Sequence, residues 1–335
     1  MRPVELGCLS RSLSVDPMVA RKLIESGCYR QERGRLVSAF LGELSGHPRS
    51  DDVFITPLIA GGIDDIRAGQ HHVLHFPFEG LFTGLQDCVR IEKPGITPVY
   101  IVDNHNRIYF PAHEAVVLGG IRDGAIFITI DKHPDGSAPQ VFSEITNLSE
   151  AREYERQHLN LANYIFPLLR DDIIGEYWYF QNSPGRVVSG RAKGELVWTA
   201  DSIGGLDRIE ITLAQLLKRH RGDKNIILNI DLDAFIGRIL SSQDLELYTE
   251  EYLAKVAKAI ARIAKNVGVV FIATSPRYAN QKIAIRLARR IACEIFGEDY
   301  DMHEIGPATV SPLLTARPFS AGLSGRHVIA PHQTL

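Results

Sequence analysis

Four short apolar runs, each closed by a polar or acidic cluster, constrain this chain more than any other feature. They occupy 99–102, 125–130, 226–230 and 268–273. They end at Asp103-Asn104-His105, Asp131-Lys132-His133-Pro134-Asp135, Asp231-Leu232-Asp233 and Thr274-Ser275-Pro276. Short, continuous apolar runs rich in Val and Ile read as strands buried on both faces. Between and beyond them the spacing predicts helices over about 149–169, 211–220, 247–264 and 280–296, and further strands at 176–180 and 195–199. Strands alternating with helices predict an α/β protein: a mostly parallel central sheet covered on both sides, in three α/β/α layers. Ligands of such sheets bind at the carboxyl ends of the strands, where every one of these clusters falls.

The clusters are rich in metal-binding side chains. On an extended strand alternate residues face the same way, so Asp131, His133 and Asp135 are expected to converge, and likewise Asp231 and Asp233. So many carboxylates around so few imidazoles need a cation to neutralise them. The expectation is a metal site, with room for two ions. Hard oxygen donors, few imidazoles and no thiolate suit manganese better than zinc. Two such cations side by side lower the pKa of a shared water and make a nucleophile for a trigonal carbon, with Asp233 placed to accept its proton.

Composition narrows the class. A net charge of -3 gives no electrostatic reason to expect nucleic acid or an anionic membrane as partner. No apolar stretch approaches a bilayer span, and the amino terminus lacks the layout of a secretory signal. Cys8, Cys28, Cys88 and Cys293 form no C-x-x-C pair, which argues against a zinc ribbon and predicts reduced thiols in a cytoplasmic protein. Glycine turns at Gly61-Gly62 and Gly204-Gly205 lack a phosphate-loop pattern.

Residues 1–95 read as an amino-terminal extension packing on a main domain of 96–335, with a turn signal at Lys93-Pro94-Gly95. His71, His72 and His75 lie in this extension without a nearby acidic partner, so a surface or packing role is expected of them. His113, eight residues after His105, is a candidate proton donor near the site.

Three segments in order carry a resemblance. They are Pro98-Val99-Tyr100-Ile101-Val102-Asp103-Asn104-His105, the Asp131-to-Asp135 motif and Asn163-Tyr164-Ile165-Phe166-Pro167. Over about 94–295 the chain resembles a branch of the arginase/deacetylase superfamily. That branch includes peptide arginases, which turn arginine into ornithine inside ribosomally made peptides. The resemblance implies two Mn2+ ions, one held by His105, Asp131, Asp135 and Asp231 and the other by Asp131, His133, Asp231 and Asp233. Asp131 and Asp231 would then bridge, and Asn163 becomes a further candidate site residue. Free-arginine arginases hold the guanidinium with a glutamate at the end of a later strand; here that strand ends Ala273-Thr274-Ser275-Pro276, without an acid. The implied reaction is therefore hydrolysis of peptidyl arginine in a precursor peptide. The alternatives are a small-molecule ureohydrolase, an amide deacylase, or a metal-stabilised binding protein without turnover.

Overall fold

The computed structural model describes residues 58–74, 81–133, 135–137, 141–181, 187–190, 199–202, 223–236, 248–276 and 278–300. It also describes positions 56 and 139 and short pieces at 21–22, 25, 29–32, 35–38, 214–215 and 217–219. The strands before residue 95 are β1 (Tyr29–Glu32), β2 (Arg35–Ser38), β3 (Leu58–Ala60), β4 (Ala68–Leu74), β5 (Leu81–Leu85) and β6 (Cys88–Ile91). After it come β7 (Val99–Val102), β8 (Ala125–Asp131), β9 (Ile174–Gln181), β10 (Val187–Gly190), β11 (Thr199–Ser202), β12 (Ile226–Asp231) and β13 (Val269–Ala273). The main helices are α1 (Tyr109–Leu118), α2 (Leu148–His158), α3 (Ile165–Arg170), α4 (Glu250–Ala264) and α5 (Gln281–Phe296).

Among the described residues, nine strands form one sheet in the order β10-β11-β9-β8-β12-β13-β7-β6-β3. Its centre, β9-β8-β12-β13-β7, is parallel throughout. β6 and β3 come from before residue 95 and hydrogen-bond into this same sheet, β6 antiparallel to β7. β1 with β2, and β4 with β5, make separate antiparallel pairs. His71 and His72 lie on β4; their side chains, and His75 as a whole, are outside the described residues.

Strand alternation sorts the core into two layers. Val99, Ile101, Ile128, Ile130, Leu228, Ile230, Val270 and Ile272 face one way, where α4 and α5 lay down Leu253, Val256, Ile260, Leu287 and Ile291. Tyr100, Val102, Phe127, Ile227, Val269 and Phe271 face the other, against α1, α2 and α3. The architecture is therefore three-layered. α4 and α5 begin where Thr249 and Asn280 accept backbone N–H groups of Tyr252 and Ile283, which satisfies donors left open at a helix start.

One expected helix divides in two. The pattern over 149–169 becomes α2 and α3, separated by residues 159–164. Pro167 is the reason: its ring would clash with the carbonyl of Asn163 in a continuous helix. The intervening asparagines fold the connection themselves. Asn163 Oδ1 accepts from Asn160 N (2.7 Å), and Asn160 Oδ1 accepts from Ala162 N (2.9 Å).

Gly268 marks the tightest approach beneath the sheet. A Cβ there would lie 2.5 Å from both Gly120 O and Lys224 O, and 2.9 Å from Ile121 Cγ2. Gly268→Ala is expected to cost about 1–3 kcal/mol by overpacking, with a Tm lower by roughly 5 °C. Metal content should not change, because the contact is at the opposite end of the strands from the acidic clusters.

Candidate metal centre

Register and parity place the two central acids. β8 and β12 run parallel with Thr129 opposite Asn229 and Ile130 opposite Ile230, so Asp131 and Asp231 follow side by side. Both share the parity of Phe127 and Ile227 and leave the sheet on the α1–α3 side. Alternation carries no further than these two. The strands end at Asp131 and Asp231, and His133, Asp135 and Asp233 are delivered by turns, contrary to the extended convergence expected of them.

The same device builds both turns. Asp131 Oδ1 accepts from His133 N at 2.7 Å, and Asp231 Oδ1 accepts from Asp233 N at 3.0 Å. Each aspartate thus folds the backbone two residues on and brings the next donor back over the strand end. Asp135 completes its turn at φ 40°, in the left-handed region. Ser275, after β13, is also left-handed at φ 47°; its Oγ donates to Asp231 Oδ1 at 2.5 Å and its N donates to Asp103 O at 2.8 Å. Strained backbone at two positions around one centre is characteristic of functional sites.

His105 arrives from a third strand end. It opens a short 3-10 turn after β7 and is 1% exposed. Its Nδ1 stands 2.8 Å from Asp131 Oδ2, 3.1 Å from Asp135 Oδ2 and 3.4 Å from Asp231 Oδ2. Asp103 is occupied elsewhere, accepting from Leu85 N at 2.6 Å and Thr56 Oγ1 at 2.5 Å. His133 stands at the rim, with Nδ1 3.0 Å from Asp233 Oδ2 and 3.9 Å from Asp131 Oδ1.

Among the described residues two groups of donor atoms result, the atoms of each lying within 4.8 Å of one another: His105, Asp131 and Asp231, and Asp131, His133 and Asp233. Asp131 is common to both. Asp231 groups with the first alone, and Asp135 borders that group through His105. A cavity of about 590 Å³ lies over the pair, lined by His105, His133, Asp135, Asp231, Ser275 and Tyr278 with Gly136, Ser137, Leu161, Ala162 and Tyr179. The Tyr278 ring stands 4.9 Å from that of His133.

The electrostatics fit cations. Burial and the neighbouring Asp135 charge push the Asp131 carboxyl up to about 7, against the pull of His105. Burial, then Asp233 and Asp131, drive Asp231 well above the carboxylate range, and burial raises Asp135. The Asp131 and Asp231 charges raise His105 despite its burial, and the hydrogen bond to Asp233 raises His133. Asp233 faces His133 through Oδ2, while its Oδ1 is buried with no hydrogen-bond partner among the described residues. Such carboxylates are stable as anions only beside positive charge. Among the described residues four aspartates and two imidazoles, without a thiolate, make a hard donor set that suits divalent cations.

The remaining candidates lie apart. His113 sits within α1, its Nε2 3.3 Å from Asp171 Oδ2 and its ring 4.8 Å from that of Tyr109, and it does not line the cavity. Tyr109 and Arg170 also bond to Asp171, so the cluster ties α1 to α3. Asn163 is buried and shapes the 159–164 connection, donating from Nδ2 to His158 O at 3.2 Å. Its effect on the site is indirect, since Ala162 O receives the N–H of Ser137 on the cavity wall. Sequence reasoning missed Ser275, Tyr278, Thr129 and Asn229. The signal for the last two was available: each is a polar residue two positions before an acid, on the same strand face.

No protein-family model and no curated protein matches the chain. Among solved structures, the crystal structure of formimidoylglutamase from Bacillus subtilis subsp. subtilis str. 168 aligns with 63% of this chain at 14% identity and a TM-score of 0.36. The alignment spans 61% of that chain, about three-fifths of its length.

Proposed function

We propose that this protein is a dinuclear metal hydrolase acting on the C–N bond of a guanidine, converting peptidyl arginine to peptidyl ornithine and urea. The observation that carries the reading is Asp131, which belongs to two donor groups at once beneath a single cavity. When bound, a pair of Mn2+ ions supplies the charge that acidifies water and polarises the guanidine carbon.

The chain's own residues do the rest. Asp233 lies buried with Oδ1 open to accept a proton, and passing that proton to the departing nitrogen lets the arginine Cζ–Nε bond break. Water supplies the oxygen of urea and the two hydrogens that balance the products. Ser275 and His105 hold Asp231 and Asp131 in place. The strand that would end in a guanidinium-binding acid ends instead in Thr274 and Ser275, both buried, and among the described residues the acids lining the cavity are Asp135 and Asp231, both in the metal centre. A free amino acid is therefore gripped poorly, and a substrate held by its peptide backbone fits better. Maturation of a ribosomally made precursor peptide is the context this chemistry serves.

Mass spectrometry of an arginine-containing peptide and of free arginine, each incubated with manganese-loaded protein, tests the reading. Conversion of the peptide to the ornithine form, with urea, is expected. Turnover of free arginine alone would replace it with a small-molecule ureohydrolase. Release of an acyl group from an amide would make the protein a deacylase. No reaction on any of these, with metal bound, would leave a metal-stabilised binding protein.

A further inference from the structure

Behind His105 the structure holds a single polar arrangement that no apolar core requires. Asn229 is fully buried on β12, and its Nδ2 lies 2.7 Å from His105 Nε2, 2.8 Å from Thr129 Oγ1 and 3.4 Å from Tyr164 OH. Its Oδ1 has no hydrogen-bond partner among the described residues. The amide nitrogen, with two hydrogens, faces three neighbours, and the oxygen faces none. The ring of Tyr164 closes the pocket, its centroid 5.2 Å from that of His105.

The two nitrogens of His105 look in opposite chemical directions. Nδ1 faces Asp131, Asp135 and Asp231, and Nε2 faces Asn229. With the amide nitrogen donating to Nε2, a neutral ring must carry its proton on Nδ1, among the carboxylates. An imidazole that gives its Nδ1 lone pair to a cation must carry the proton on Nε2 instead, and that N–H then needs an acceptor. The carboxamide of Asn229 is the group in position to provide one, by turning half a revolution so that Oδ1 takes the place of Nδ2. Thr129 and Tyr164 carry hydroxyls that donate as readily as they accept, so the same turn keeps their bonds.

We propose that Asn229 is a positioning residue that fixes the tautomer of His105, presenting Oδ1 to Nε2–H and leaving Nδ1 bare for the metal. The proposal rests on the two-cation reading of this site and not on the identity of the substrate.

Two measurements on the full-length protein test it. The first is equilibrium dialysis with Mn2+ for wild type, Asn229→Leu and Asn229→Asp. Leu has a similar volume and no acceptor, and its affinity for the metal at His105 should fall roughly 10–100-fold. Asp keeps an acceptor at the same place and should stay within about threefold of wild type, with both metal-free variants melting cooperatively. Wild-type affinity in the Leu variant would overturn the proposal. So would an equal loss in both variants, which would mean packing rather than the acceptor. The second measurement needs no variant. Long-range 1H–15N correlation of the histidine rings, with Zn2+ as a diamagnetic probe, should show His105 protonated at Nε2 in the loaded wild type. Protonation at Nδ1 there would overturn the proposal, and a wild type that binds neither ion would overturn the two-cation reading with it.

Discussion

Asp131→Asn is expected to reduce bound metal from two ions to fewer than one per chain and to lower turnover by more than roughly a hundredfold. The substitution is nearly isosteric, and the amide oxygen can still accept from His133 N, so the turn after β8 should survive. What disappears is the one charge common to both donor groups. Asp135→Asn removes a charge whose oxygen contacts His105 directly, so it should weaken the ion at His105 more than the other. Metal analysis after gel filtration, paired with a thermal melt, separates loss of metal from loss of fold. Two tightly held ions in a folded Asp131→Asn protein would sink the assignment of this centre.

The metal-free protein is expected to lose stability as the pH rises from about 5 to 8, against the usual behaviour of a carboxylate. Asp131 is pushed up to about 7 in the folded chain, above its unfolded value near 4. A group raised on folding contributes its stability in full below the unfolded pKa and loses it as the pH climbs through the folded one. His105, also raised, acts with the same sign from about 6.5 upward. The Tm of the chelated protein should therefore fall by several degrees across this window. Saturating Mn2+ should restore it most at the alkaline end, by roughly 3 kcal/mol at a hundredfold excess over Kd. A chelated Tm that climbed with pH, or one indifferent to Mn2+ at pH 8, would mean that these acids do not form a cation site.

Much of the scaffold was legible because its signals are local. Buried parallel strands read as unbroken apolar runs, and α4 and α5 show their amphipathic period with Thr249 and Asn280 at their starts. Asp131 and Asp231 were legible as strand-end acids on one face. The clustering of His133 and Asp233 was foreseen for a different reason from the one that operates, since turns and not alternation bring them in. Less local features stayed hidden. Leu58–Ala60 and Cys88–Ile91 are too short to announce themselves and become strands through pairing with each other and with β7. The break at 159–164 had its warning in Pro167. Nothing near His113 in sequence reveals that Asp171, from the end of α3, takes it up. Ser275 is a small polar residue in a turn, and only its reach across to Asp231 gives it a part in the site.

The place of β6 in the sheet bears on how this protein should be cut for study. β7, which delivers His105, lies between β13 and β6, so one whole side of it is covered by residues preceding the turn at 93–95. Removing that segment would leave a fully apolar strand with bare N–H and C=O groups along its length, the template on which chains stack into aggregates. Asp103 would lose the Thr56 hydroxyl and the Leu85 amide in the same cut. The smallest soluble unit worth expressing therefore begins upstream of Thr56, and a shorter piece that precipitates says nothing about catalysis.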